Sequence, residues 1–352
     1  EFKKKKTIIV TLRFMVKRGL KLSKGSEEKL KSEARKISVK EGCAYGVTEG
    51  FGISYITPYA LALGAKNIHI GFLSALPQLI GNFSQLYSLK LMMHTSRKKI
   101  SVISSLLQGL MWIPLIIVGA LFFIFDMKSL MIPNALILIY TLLIVFGSLI
   151  SPVWSSWMRD VVPVHHRGVY FGVRYRISGF VGLISMLLGG IILDYFKKTN
   201  LFLGFVILFI LAFIFRIVST MLLAKQYEPE LKLEKTYYFS LWDFIKRMHQ
   251  NNFGRFVIYI SLMMLVTHIA SPFFAVYMLK ELNFSYVTFM IVTISAIFSS
   301  LIFMPLWGKF SDSYGSLETI KICGFLVPLV PFLWLFVPAI LNYSYIFLIL
   351  YL

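Results

Sequence analysis

Cysteine stands at only two positions, Cys43 and Cys323, and neither has a second Cys or a His at metal-ligand spacing. That excludes a disulfide framework and a Cys-ligated metal site. Acidic side chains are scarce too, with 16 Asp and Glu against 36 Lys and Arg. No G-x-x-x-x-G-K-[ST] loop occurs, so the chain has no nucleotide-driven motor of its own. No H-E-x-x-H occurs, and acids inside apolar runs are too few for clustered acid–base chemistry; an enzyme is not expected. Residues 1–24 lack the small-residue cleavage site of a signal peptide. Charged residues of all kinds make up 15% of the 352 positions, well below the quarter usual in soluble domains.

What is present is apolar and comes in blocks. Hydrophobic residues are 57% of the chain and mean hydropathy is +0.75. A bilayer core of about 30 Å takes roughly 20 residues of helix, and backbone in lipid must pair internally. The blocks predict nine spans, near 43–64, 70–91, 100–125, 133–157, 169–195, 201–223, 255–279, 285–307 and 319–340. A tenth run, 343–352, is too short to cross. The chain starts at Glu1 rather than Met, and both ends read as cut. The expected fold is an all-α polytopic membrane protein.

Cationic residues set the orientation. With the N-terminus inside, 31 of the 36 Lys and Arg fall in cytoplasmic segments. Only Lys66, Lys128, Lys197, Lys198 and Lys280 fall outside. This is the positive-inside pattern of a multi-pass protein of the cell membrane. Arg216 is counted here with the loop after the sixth span. Segment 1–42 is basic, and its partner is expected to be anionic lipid headgroups rather than nucleic acid. Ser26 before Glu27 and Glu28 suits a helix start leading into the first span.

The organisation is then a basic segment 1–42, six spans over 43–223, a cytoplasmic loop 224–254 and an incomplete second set over 255–352. The loop holds Pro229 and an amphipathic stretch, Phe239–Met248. It suits either the headgroup region or the underside of the bundle.

The stretch Leu306–Ser316, LWGKFSDSYGS, follows the eighth span. A shift of about 220 residues places it on 88–99, SLKLMMHTSRKK, after the second span, the kind of internal repeat that two-part transporters carry. The second copy keeps Gly308, Asp312 and Gly315. The first keeps a basic end with Arg97 and Lys98.

This paired loop resembles the G-x-x-x-D-R-x-G-R-R motif of the major facilitator superfamily of secondary transporters. Ser313 replaces the motif arginine, and Ser316-Leu317 replace its final basic pair. Pro152–Pro163 with Arg167-Gly168, and Ser271–Tyr277, resemble a prokaryotic branch of that superfamily. The resemblance covers about 40–352. It implies twelve spans in two six-helix bundles, of which the end of span 10 and spans 11 and 12 lie beyond this sequence. It also implies a monomer without a cofactor, moving a small-molecule solute. Two family features are missing. Span 4 has no interior arginine, and Ser185–Gly190 keeps only the last two glycines of the Gly-Pro-x-x-Gly-Gly of drug antiporters.

The resemblance gives Asp312 the part of a cytoplasmic gate, beside Gly308 and Gly315. Asp160 and Arg167, seven residues apart across Pro163, are expected to pair as a reversible latch or as an idle surface pair. His165 and His166 read as exposed histidines rather than metal ligands.

Inside the spans, Gly42, Gly46, Gly50 and Ser54 recur every fourth residue and allow close packing. Glu49 stands one position round from them. An acid at that depth is costly and reads as functional, so a proton is a candidate coupling ion. A structural hydrogen bond is the other reading. His268 reads as either a packing histidine or a cavity group. Arg174 and Arg176 are expected to reach out to the cytoplasmic interface, with a solute role open for Arg174. Tyr55, Asn82 and Gln85 are candidate cavity groups. The main functional expectation is a transporter working by alternating access. A sensor on the same fold, or a polytopic membrane enzyme, are the rivals.

Overall fold

A computed structural model describes residues 23–127, 129–230, 241–334 and 336–337. No strand occurs among them. The chain divides into two units, Glu1–Lys232 and Leu233–Leu352.

In the first unit, α1 runs Lys24–Phe51. Its cap is Ser23, whose hydroxyl accepts from the Ser26 amide at 3.3 Å. The helix therefore starts three residues before the expected Ser26 cap and passes without a break from the basic segment into the first span. It stops at Gly52, followed by a 3-10 turn, Ile53–Tyr55, and α2, Ile56–Ala62. Gly52 leaves room for the Trp112 ring, from which a Cβ at this position would lie 2.3 Å. Trp112 itself is fully buried.

The next spans are α3 (Asn67–His94), α4 (Arg97–Leu110) and α5 (Trp112–Phe123), then α6 (Met131–Val161), α7 (Arg167–Phe196) and α8 (Leu201–Lys225). The expected third span is thus two helices. Pro114 has no amide hydrogen to donate to Leu110, which loosens the turn at Met111. Helix α1 packs on α7 and α8, α3 on α6, and α4 on both α6 and α8. The small-residue face of α1 meets α7 closely. A Cβ on Gly46 would sit 2.5 Å from the Ser178 carbonyl, and one on Gly50 2.6 Å from the Gly182 carbonyl.

The second unit holds α9 (Leu241–Arg247), α10 (Asn252–Val276) and α11 (Tyr286–Tyr314), then α12 (Ser316–Leu326) and α13 (Leu329–Trp334). The Phe239 end of the amphipathic stretch and the short run 343–352 lie outside the described residues.

Among the described residues, six helical stretches are long and apolar enough to cross a membrane: Arg97–Phe123, Met131–Val161, Val164–Phe196, Leu201–Lys225, Asn252–Glu281 and Ser316–Trp334. Large apolar side chains such as Leu138, Phe180 and Ile210 face outward from them. Such a surface suits lipid. Helix α3 covers the second expected span but carries Gln78, Asn82, Gln85 and Lys90 among its apolar residues.

Candidate functional site

Two polar centres are built into the first unit. The first lies where α4 begins, α6 ends and the chain leaves α8. Arg97 opens α4 and is only 1% exposed. Its Nη1 donates to Asp160 Oδ2 at 2.6 Å and to the Ser156 carbonyl at 3.1 Å. Its Nη2 donates to the Pro229 carbonyl at 2.8 Å, and its backbone amide to Glu228 Oε1 at 2.7 Å. Lys98 Nζ donates to the Gln226 carbonyl at 3.0 Å, and Trp157 Nε1 to the Tyr227 carbonyl at 2.9 Å. Four consecutive residues after α8 are thereby tied to α4 and α6. Burial, with Glu27 and Glu230 nearby, pushes the Tyr227 phenol up.

The expected pairing of Asp160 with Arg167 is corrected. Asp160 pairs with Arg97 instead. Arg167 donates to the Arg159 carbonyl at 2.7 Å and the Val162 carbonyl at 3.4 Å. It thus serves the end of α6, where carbonyls lack helical donors and a cation is favoured.

The second centre lies deeper, between α1, α7 and α8. Arg174 does not reach out to the interface as expected. It is buried, and its Nη2 donates to Glu41 Oε2 at 2.8 Å and its Nε to the Ser38 carbonyl at 3.2 Å. Its guanidinium carbon lies 4.2 Å from the Trp154 ring centre. The other oxygen of Glu41 accepts from Ser219 Oγ at 2.9 Å, which accepts in turn from Arg216 Nη1 at 3.0 Å. Arg216 stacks over Tyr45 at 4.8 Å. Tyr45 stands one turn before Glu49 on the same helix. Glu49 itself is exposed at the surface of this unit.

Counting Arg216 among loop cations is therefore also corrected. It is 2% exposed within α8, nine residues before the end at Lys225, or about 14 Å along the axis. Charge counts alone missed Arg216 and Glu41 because both sit close to the expected cytoplasmic boundary. An i, i+4, i+8 relation of Glu41, Tyr45 and Glu49 on one helix face was the available signal.

The remaining candidates are dispersed. Tyr55 is fully buried, and its hydroxyl donates to the Met186 carbonyl, which corrects the expectation of a cavity group. Asn82 is exposed and Gln85 half-buried on α3. His268 is exposed on α10, with Nδ1 2.9 Å from the Met264 carbonyl. Gly308 and Asp312 lie one turn apart near the end of α11, and their side-chain surroundings are outside the described residues. Gly315 closes that helix with φ +89°. His165 and His166 are exposed, and no group of three His, Cys, Asp or Glu among the described residues is placed to hold a metal.

The model of the Major Facilitator Superfamily matches residues 42–352. The chain belongs to the major facilitator superfamily. As a superfamily transporter it is a multi-pass, all-α membrane protein, and its basic segment 1–41 precedes the matched region. No curated protein matches the chain. Both polar centres fall within the superfamily region apart from Glu41 and Ser38, one and four residues before it.

Proposed function

We propose that this superfamily member is a secondary active transporter of the cell membrane, N-terminus inside, moving a small solute by alternating access with a proton as coupling ion. The observation that supports this most is Glu49. It is an acid on a span, at the surface of its unit, within electrostatic reach of Arg216, Arg174 and Glu41. Facing lipid would be costly for a carboxylate, so this surface suits a water-filled path. An exposed acid on a span can exchange a proton with water as the path opens to each side.

The Arg97–Asp160 contact fits a cytoplasmic latch. Asp160 is 43% exposed, so water replaces the guanidinium readily when the latch opens. Asp312, at the matching loop of the second unit, is the proposed counterpart. The basic segment lies against anionic headgroups and adds to the inside bias.

The test is uptake and counterflow in proteoliposomes under an imposed pH gradient, with wild type and Glu49→Gln. Gradient-driven accumulation in wild type and its loss in the variant is the expected result. Unchanged coupling in the variant removes Glu49 from the mechanism. Solute binding with no counterflow replaces the transporter reading with a sensor.

A further inference from the structure

The part of α1 that precedes the first span has two unlike faces. Leu30, Ala34 and Ser38 follow one another at one-turn spacing and are buried. Ala34 packs with Trp157, Met158, Val161 and Leu223. Arg35 Nη1 donates to the Val161 carbonyl at 2.9 Å, and the Tyr170 hydroxyl to the Arg35 carbonyl at 3.0 Å. These contacts pin this part of α1 to α6, α7 and α8 and fix which way its other face points. That face carries Lys29, Lys36 and Lys40, all exposed and within about 40° of one another round the helix. Lys31 and Arg35 are paired with Glu27 and Glu28 at 2.9 and 2.8 Å. Glu33 is half-buried and takes part in an interaction of its own. Among the described residues, no hydrogen bond or ion pair engages Lys29, Lys36 or Lys40.

Depth sets two of these lysines apart. Lys40 and Lys36 stand about 5 and 10 Å along the axis before the expected span start at 43, and Lys29 about 21 Å before it. A headgroup layer is about 5–8 Å deep, and a lysine stem adds to that reach. Helix α8 brings a third cation to the same depth. Thr48 Oγ1 donates to the Ala212 carbonyl at 3.3 Å and Ser219 Oγ to Glu41 at 2.9 Å. This antiparallel register sets Lys225, the last residue of α8, at the level of Arg35 and Lys36. Lys225 is exposed, and it ends an outward apolar stripe of Ile210, Ile214, Val218 and Met221. An apolar stripe capped by a cation suits an amphiphile with an anionic head.

We propose that Lys36, Lys40 and Lys225 seat the phosphate headgroup of an anionic lipid of the inner leaflet, with its acyl chain along the apolar stripe of α8. The buried contacts of Ala34 and Arg35 hold the lysines at headgroup depth before any lipid arrives. This inference rests on the reading that the N-terminus and its basic segment lie inside.

The experiment titrates the purified full chain in detergent with short-chain phosphatidylglycerol and follows thermal unfolding. Short-chain phosphatidylcholine and inorganic phosphate are the controls. Wild type is expected to be stabilised by phosphatidylglycerol and by neither control. The double variant Lys36→Gln with Lys40→Gln is expected to lower the apparent affinity by about tenfold or more, and Lys225→Gln to lower it as well. Lys29→Gln, too far out, and Lys31→Gln, already paired with Glu27, are expected to leave it unchanged. The inference is overturned if either control stabilises equally, if the double variant and Lys225→Gln bind like wild type, or if Lys29→Gln or Lys31→Gln weakens binding as much as the double variant. Labelling of the N-terminus from each side of proteoliposomes reads the orientation separately. An inside N-terminus with no preference for phosphatidylglycerol overturns this inference alone, and an outside N-terminus overturns the orientation and this inference with it.

Discussion

Arg97 and Asp160 stand 63 positions apart and meet at 2.6 Å, with the arginine buried and the aspartate half in water. One guanidinium thereby ties the start of α4 to the end of α6 and to the segment that leaves α8. Asp160 keeps enough exposure for water to replace its partner. Pro229 and Ser156 offer carbonyls that lose their donor if Arg97 is removed.

Arg97→Ala is expected to cost about 1–3 kcal/mol, chiefly from the unpaired carbonyls and Glu228. Arg97→Lys recovers the charge and only part of the hydrogen bonding. Thermal unfolding in detergent measures both. An alanine variant as stable as wild type would show that the contact carries no structural weight.

Glu41→Gln is expected to lose about 3–5 kcal/mol, because Arg174 keeps its charge in a buried place with its partner gone. Folded yield and unfolding temperature should both fall. The same substitution at exposed Glu318, in its surface pair with Lys321, should change neither. Equal effects at the two positions would contradict the assignment of Glu41 as a buried counter-ion.

Gly46→Ala is expected to destabilise by about 1–3 kcal/mol through overpacking, since the new methyl meets the Ser178 backbone at 2.5 Å. Gly172→Ala, on α7 with nothing within 4 Å of the added Cβ, should instead stabilise by up to about 1 kcal/mol. Unfolding midpoints that move in the same direction for both variants would refute the close α1–α7 approach.

At Gly315 there is room for a side chain but not the backbone geometry. Its φ of +89° with ψ 152° is essentially reserved for glycine. Gly315→Ala should cost about 1–3 kcal/mol locally, read as faster proteolysis or amide exchange at the α11–α12 turn. Unaltered exchange there would mean that the turn takes another conformation.

Much of the fold was legible because lipid imposes a simple rule: runs of about 20 apolar residues become helices. The turn at Gly315 falls at a glycine of the loop motif, and its φ is positive. The turn at Met111 follows from Pro114, which the sequence shows, whereas the close approach of Gly52 to the Trp112 ring joins distant positions and was not legible. Charge partners were the least legible. Sequence proximity favoured Asp160 with Arg167, yet Arg167 is turned to the end carbonyls of α6 and Asp160 to Arg97. Arg174 looked like an interfacial cation until its partner Glu41, 133 positions away, was placed beside it.

The sequence by itself determined the superfamily, the helical spans and the small-residue face of α1. These follow from composition, spacing and motif, which act locally along the chain. Tertiary structure alone decided which ions are paired, that Arg216 is buried in α8 rather than lying in a loop, and that Glu49 stands at the surface of its unit. The reason is physical. A charge taken out of water must find a counter-ion within a few ångströms, and only the packing of distant helices sets which one is there.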